Sequence, residues 1–128
     1  MMTSISNQKD AASTMNETHT TPLKGLGMSP GTVEGTIHKA ETLDALDDMD
    51  DGQILIVRRS SPAWTAGMLR AGGFICEEGG VICHAAIVAR ELGLPCVVDL
   101  KGALEAIPDG ARVRLEVTGS EGVVHVLP

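Results

Sequence analysis

The sequence predicts an α/β fold with a mixed sheet: a parallel core and an antiparallel C-terminal hairpin. Three observations point there. Between residues 53 and 98, short apolar runs alternate with helical patterns and glycine-rich joints, the order that pairs successive strands in parallel through crossovers. Residues 111–117 and 123–127 then alternate polar with apolar on either side of Gly119-Ser120-Glu121-Gly122, which reads as a hairpin. Finally, 43% of residues are hydrophobic but only 2% aromatic, so the core must be built from aliphatic side chains and Met.

A chain of 128 residues suits one domain with a modest core. Residues 1–22 are small and polar without apolar periodicity and read as a disordered tail, leaving residues 23–128 as the domain. His19 falls in that tail as a solvated side chain. Net charge is −7, which argues against nucleic acid and against an anionic membrane surface. The chain carries three cysteines, an odd number with no framework spacing. It has no apolar run near the ~18 residues of a membrane span and no signal-peptide core at its start. These features predict a reducing, cytoplasmic setting.

Taken in order, Gly25 to Gly31 reads as a glycine-rich structural turn. It lacks the Gly-Lys-Ser/Thr and the helix start of a phosphate-cradling loop. Thr32 to Lys39 alternates as a strand with His38 outward, a surface residue. Glu41 to Asp51 holds six acids in eleven residues. The order of a calcium loop is missing, so the segment reads as a short helix capped by Thr42, with Leu43 and Leu46 inward and a solvated acidic face. Residues 53–57 form a strand buried on both faces. After the loop Arg58-Arg59-Ser60-Ser61, Ser61 caps and Pro62 opens a helix carrying Trp64, Met68 and Leu69. Gly72-Gly73 ends it and residues 74–76 return as a strand. The C-terminal part adds a short helix over residues 100–107 before the hairpin. His125 belongs on the surface of its second strand.

The chain is organised around Glu77 to Val98. Gly79-Gly80 frees the backbone and removes side chains that would block a ligand. Cys83 to Leu92 is helical, Gly93 stops it, Pro95 bars continuation, and residues 96–98 form a buried strand. His84 therefore stands in the first turn of a helix behind a Gly-Gly loop, where unpaired N–H groups and the helix dipole favour an anion. Imidazole is a good nucleophile near neutral pH, so this His is suited to carrying a phosphoryl group. The plainer reading is a polar surface His or a cap partner. A Cys83–His84 nucleophilic pair is disfavoured, because neighbouring helix positions point about 100° apart. Cys76, Cys83, His84 and Cys96 are spaced 7, 1 and 12 apart, without a metal-binding pair, and no metal site is expected.

Residues 79–98, GGVICHAAIVARELGLPCVV, resemble the phosphohistidine motif of the phosphoenolpyruvate-utilising enzymes. That family includes phosphoenolpyruvate synthase, pyruvate phosphate dikinase, Enzyme I of the sugar phosphotransferase system and rifampicin phosphotransferase. Gly25 to Gly35 is similar to the opening G-x-x-x-S-P-G-x-x-x-G of the same domain, so the resemblance covers about residues 24–128. It implies a swivelling β/β/α three-layer phosphohistidine domain with His84 as phosphoryl acceptor, and Gly79, Gly80 and Cys83 beside the phosphate. Ser-Pro-Ala-Trp-Thr resembles the helix start from which Enzyme I-like members bring a Thr to the active His. That makes Thr65 a partner for His84, although the spacing differs by a couple of residues and other members carry Glu there. Arg58 and Arg59 read as phosphate partners or, in preference, as surface salt bridges. Trp64 reads as a packing or docking residue.

One departure and one match matter. Ile82 stands where the synthase and dikinase place a regulatory Thr, so control by that route should be absent. Cys83 matches the synthase version; it reads as packing in preference to a redox-sensitive thiol. There is no P-loop, no Mg²⁺ carboxylate set and no length for a nucleotide-grasp or barrel domain. The resemblance implies that Mg²⁺ with ATP or phosphoenolpyruvate is bound by nucleotide-binding and PEP/pyruvate-binding partner domains, with no cofactor on this one. The chain is then a phosphotransferase component, inactive without partners. The alternative is a non-catalytic docking or regulatory module that keeps the fold.

Overall fold

The computed structural model describes residues 22–78 and 84–128. The expected tail, with His19, lies outside them, as do Gly79, Gly80, Ile82 and Cys83. The described residues form seven strands: β1 Leu23–Ser29, β2 Gly31–Ala40, β3 Ile54–Val57, β4 Gly73–Cys76, β5 Cys96–Val98, β6 Arg112–Thr118 and β7 Glu121–Val126. They are hydrogen-bonded in the order β1-β5-β4-β3-β2-β6-β7, and β7 pairs with β1 to close a barrel. The expected mixed sheet is present. β2, β3, β4 and β5 run parallel, with Ala40 opposite Val57, Val57 opposite Cys76 and Phe74 opposite Cys96. β6 and β7 form the expected antiparallel hairpin around Gly119-Ser120, Thr118 facing Glu121. Strand pairing thus yields a closed barrel. Closure follows because β1 hydrogen-bonds on both sides, to β5 and to β7.

β3, β4 and β5 are buried on both faces, which is why they read as continuous apolar runs. Alternate residues serve two cores. Ile54, Ile56, Ile75 and Val97 join Leu115, Val117 and Val124 in one cluster. Leu55, Val57, Phe74, Cys76, Cys96 and Val98 face a second cluster completed by Trp64, Met68, Ala85 and Ala89 from the helices.

Several expectations are corrected. Residues 25–29, read as part of a turn, belong to β1. Glycine serves close approach there: a Cβ on Gly25 would lie 2.6 Å from the Val98 carbonyl oxygen. The acidic segment is a 3-10 helix, Leu43–Asp48, and Thr42 makes no side-chain cap bond. Positions three apart align in such a helix, and the stripe sinks only toward its end. Leu43 is 49% exposed and not inward, Leu46 packs against the outer cluster, and Met49 is buried. The next helix is divided, a 3-10 turn Pro62–Trp64 followed by α1 Thr65–Arg70, with the Ser61 hydroxyl accepting from the Ala63 amide at 3.3 Å. α2 spans His84–Leu92, and Gly93 at φ 68 ends it. α3 is only Ala103–Ala106, because Asp99 at φ 58 and Gly102 at φ 80 cannot be helical, although Leu100 and Ile107 are both buried. His38 is half-buried, its Nε2 2.6 Å from the Ala45 carbonyl oxygen, so it ties β2 to the acidic segment.

Candidate functional site: the head of α2

α2 is amphipathic. Ala85, Ala86 and Ala89 are buried against the sheet, while His84 and Ile87 are exposed. Small residues on the buried face let the helix lie close to the strands. Two side-chain bonds hold it to β1: the buried Ser29 hydroxyl donates to the Ala89 carbonyl at 3.4 Å, and Arg90 Nε donates to the Met28 carbonyl at 2.9 Å. His84 opens this helix with its ring in solvent.

α1 packs beside α2 and brings Thr65 to the imidazole. Thr65 Oγ1 lies 3.2 Å from His84 Nε2. The side chain named as a partner for His84 therefore meets it. Trp64 just before Thr65 is buried, and its indole N–H donates to the Arg59 carbonyl at 3.0 Å, fixing where α1 begins. Gly79, Gly80 and Cys83 lie outside the described residues.

Arg58 and Arg59 are engaged in ion pairs, the preferred of their two readings. Arg58 Nη1 donates to Glu77 Oε1 at 2.8 Å and Nη2 to Glu41 Oε1 at 3.3 Å. Arg59 Nε donates to Glu78 Oε1 at 3.0 Å, and this contact holds the guanidinium pKa above its ordinary value. The carboxylate partners at Glu77 and Glu78 were not foreseen. The signal available was consecutive arginines after one parallel strand and consecutive glutamates after its neighbour. Among the described residues, no group of three or more His, Cys, Asp or Glu side chains is arranged to hold a metal ion. No described helix is long and apolar enough to cross a membrane.

The sequence profile of the PEP-utilising enzyme mobile domain matches residues 49–122. The chain belongs to that family. A probable phosphoenolpyruvate synthase of Methanothermobacter thermautotrophicus is 42% identical over 103 residues, covering 80% of this chain and 15% of the relative. Rifampicin phosphotransferase of Bacillus cereus is 40% identical over 105 residues, covering 80% of this chain and 12% of the relative. This PEP-utilising mobile domain therefore spans a small part of the length of the curated relatives it matches. Among solved structures, Enzyme I is similar at 36% identity and a TM-score of 0.54, over 65% of this chain and 34% of that one. Aconitase X of Thermococcus kodakaraensis, at 18% identity and a TM-score of 0.62, covers 85% of this chain and 100% of its own and shares the fold.

Proposed function

We propose that this PEP-utilising mobile domain is a phosphoryl carrier, transiently phosphorylated on His84. The observation that carries the reading is an exposed imidazole at the head of α2 with a hydroxyl 3.2 Å from Nε2. In this reading the Nε2 lone pair attacks the donor phosphorus. An N–P bond forms as the donor P–O bond breaks, and the electron pair leaves on the donor's oxygen. In the second half, an acceptor oxygen attacks phosphorus and the N–P electrons return to Nε2. Thr65 donates its O–H to the Nε2 lone pair in the resting state, which keeps the proton on Nδ1 and aims the ring. Phosphoryl transfer depends mainly on such alignment and on charge stabilisation.

Gly79, Gly80 and Cys83 take the place beside the phosphate that the motif implies for them. Mg²⁺ and the donor, ATP or phosphoenolpyruvate, belong to nucleotide-binding or PEP/pyruvate-binding partner domains. The domain comprises residues 23–128 and works in the cytoplasm. The two apolar clusters, one within the barrel and one under the helices, are what a β/β/α layering would require.

The experiment is intact mass and ³¹P NMR after incubation with a partner subunit, Mg²⁺ and ATP or phosphoenolpyruvate. One acid-labile, alkali-stable phosphoryl group, absent from His84→Ala, is the expected result. An unmodified chain beside a demonstrably active partner would instead mark a docking module.

A further inference from the structure

We propose that the loop over residues 58–61 forms an anion-binding site that takes the phosphate group of a small molecule. The site is independent of the carrier reading above, and neither Thr65 nor His84 lines it. β2 and β3 run parallel with Ala40 opposite Val57, so Glu41 and Arg58 leave the sheet side by side. A hollow of about 350 Å³ opens there, with Glu41, Arg58, Arg59, Ser60, Ser61 and Trp64 in its lining. That volume is enough for a small ligand. The hollow also lies at the carboxyl ends of parallel strands, where α/β folds gather their binding groups.

The loop has its acceptors engaged and donors to spare. The Arg58 carbonyl accepts from the Glu78 amide at 2.9 Å and the Ser61 carbonyl from the Trp64 amide at 3.1 Å. The Arg59 carbonyl accepts from the Trp64 indole N–H at 3.0 Å. The Ser61 hydroxyl accepts from the Ala63 amide at 3.3 Å, which leaves its own O–H to donate. Ser60 Oγ is buried and, among the described residues, is the buried side-chain polar atom without a hydrogen-bond partner. Buried polar groups are rarely left so. No bond holds the Ser60 hydroxyl in its rotamer, so a turn about χ1 brings it to the hollow without giving one up.

Charge selects the same class of ligand. The lining sets the two guanidiniums of Arg58 and Arg59 against the single carboxylate of Glu41. Arg58 keeps its Nη1 on the buried Glu77, but its Nη2 reaches Glu41 at 3.3 Å in a contact between exposed groups. The Arg59–Glu78 pair is exposed as well. Exposed pairs contribute little, so an incoming anion replaces Glu41 on Arg58 and shares Arg59 with Glu78. A phosphate dianion matches two guanidiniums and keeps an oxygen for the Ser60 hydroxyl. A carboxylate, with one charge and two oxygens, satisfies only part of that set.

Trp64 is the one tryptophan of the chain, so its fluorescence reads the hollow directly. The experiment titrates the full chain with inorganic phosphate and, separately, with phenyl phosphate, at constant ionic strength and with chloride as the control. A saturable change with phosphate and none with chloride is expected. Ser60→Ala is expected to weaken binding about tenfold. Its melting temperature should not fall, since the hydroxyl bonds nothing in the resting fold. Glu41→Gln is expected to tighten binding at least about twofold, because the competing carboxylate is gone. Tighter binding of phenyl phosphate assigns the site to a phosphomonoester, tighter binding of inorganic phosphate to the free ion, and equal binding to the phosphate group alone. His84→Ala is expected to bind as the wild-type chain does. The proposal is overturned if no saturable change appears, or if either Ser60→Ala or Glu41→Gln keeps wild-type affinity. Loss of binding in His84→Ala also overturns it, by moving the anion to the carrier site. If Ser60→Ala does not fold, Glu41→Gln, at an exposed position, decides alone.

Discussion

Thr65 Oγ1 and His84 Nε2 lie 3.2 Å apart, joining the starts of two helices across 19 residues of sequence. Neither end is buried: the pair sits on the surface, over a core formed by Trp64, Met68, Ala85 and Ala89. Its bond therefore contributes little to folding and much to the orientation of one ring. Thr65→Val, which keeps the shape and removes the hydroxyl, should slow phosphorylation of His84 by roughly tenfold while unfolding free energy changes by less than about 1 kcal/mol. Thr65→Ser should restore most of the rate. Single-turnover labelling beside a urea titration separates the two effects.

Gly25 is set by packing. Its missing side chain lets β1 lie against β5, where a Cβ would meet the Val98 carbonyl oxygen at 2.6 Å and Val97 Cγ2 at 3.0 Å. A backbone oxygen cannot step aside as a side chain does. Gly25→Ala should cost about 1–3 kcal/mol, read as a lower urea midpoint with unchanged slope.

Asp99 is the non-glycine residue with positive φ among those described, at 58°. Its contact with Lys101 at 3.9 Å involves a highly exposed lysine and adds little. A β-branched side chain tolerates this backbone poorly, and glycine tolerates it freely. Asp99→Val should therefore be less stable than Asp99→Gly by about 1–2 kcal/mol, measured by thermal unfolding.

On the hairpin, Arg114 Nε donates to Glu116 Oε2 at 2.8 Å, and His125 Nε2 lies 3.3 Å from Glu116 Oε1. Arg114, and then His125, hold the Glu116 carboxyl below its ordinary pKa. A carboxyl depressed in the folded state stabilises the fold above its unfolded pKa, and that contribution fades as pH falls through the folded value. Glu116→Gln should lower stability slightly at neutral pH and flatten the acid side of the stability–pH curve. Chemical denaturation at a series of pH values between 2 and 7, the range about a carboxylate's ordinary titration, checks this. The wild-type chain and Glu116→Gln should converge at the acid end.

How much was legible varied with the kind of signal. β3, β4 and β5 were visible as apolar runs because burial on both faces removes any reason for polar residues, and the Gly93–Pro95 stop fixed the end of α2. β1 was hidden because its glycines look the same whether they turn a chain or let two strands touch. α3 was overestimated because Leu100 and Ile107 are buried without being helical. Leu43 was placed inward by periodicity, but a short segment sinks only where the sheet is beneath it.

From sequence alone came the parallel core, the hairpin, the family motif and His84 at a helix start, since each follows from neighbours in the chain: propensity, period and turn chemistry. Tertiary structure decided barrel closure, the Thr65–His84 contact and the Arg58–Glu77 ion pair. Those depend on which distant segments lie side by side, and strand pairing sets that: residues 19 apart, such as Thr65 and His84 or Arg58 and Glu77, meet because β3 and β4 are neighbours in one sheet.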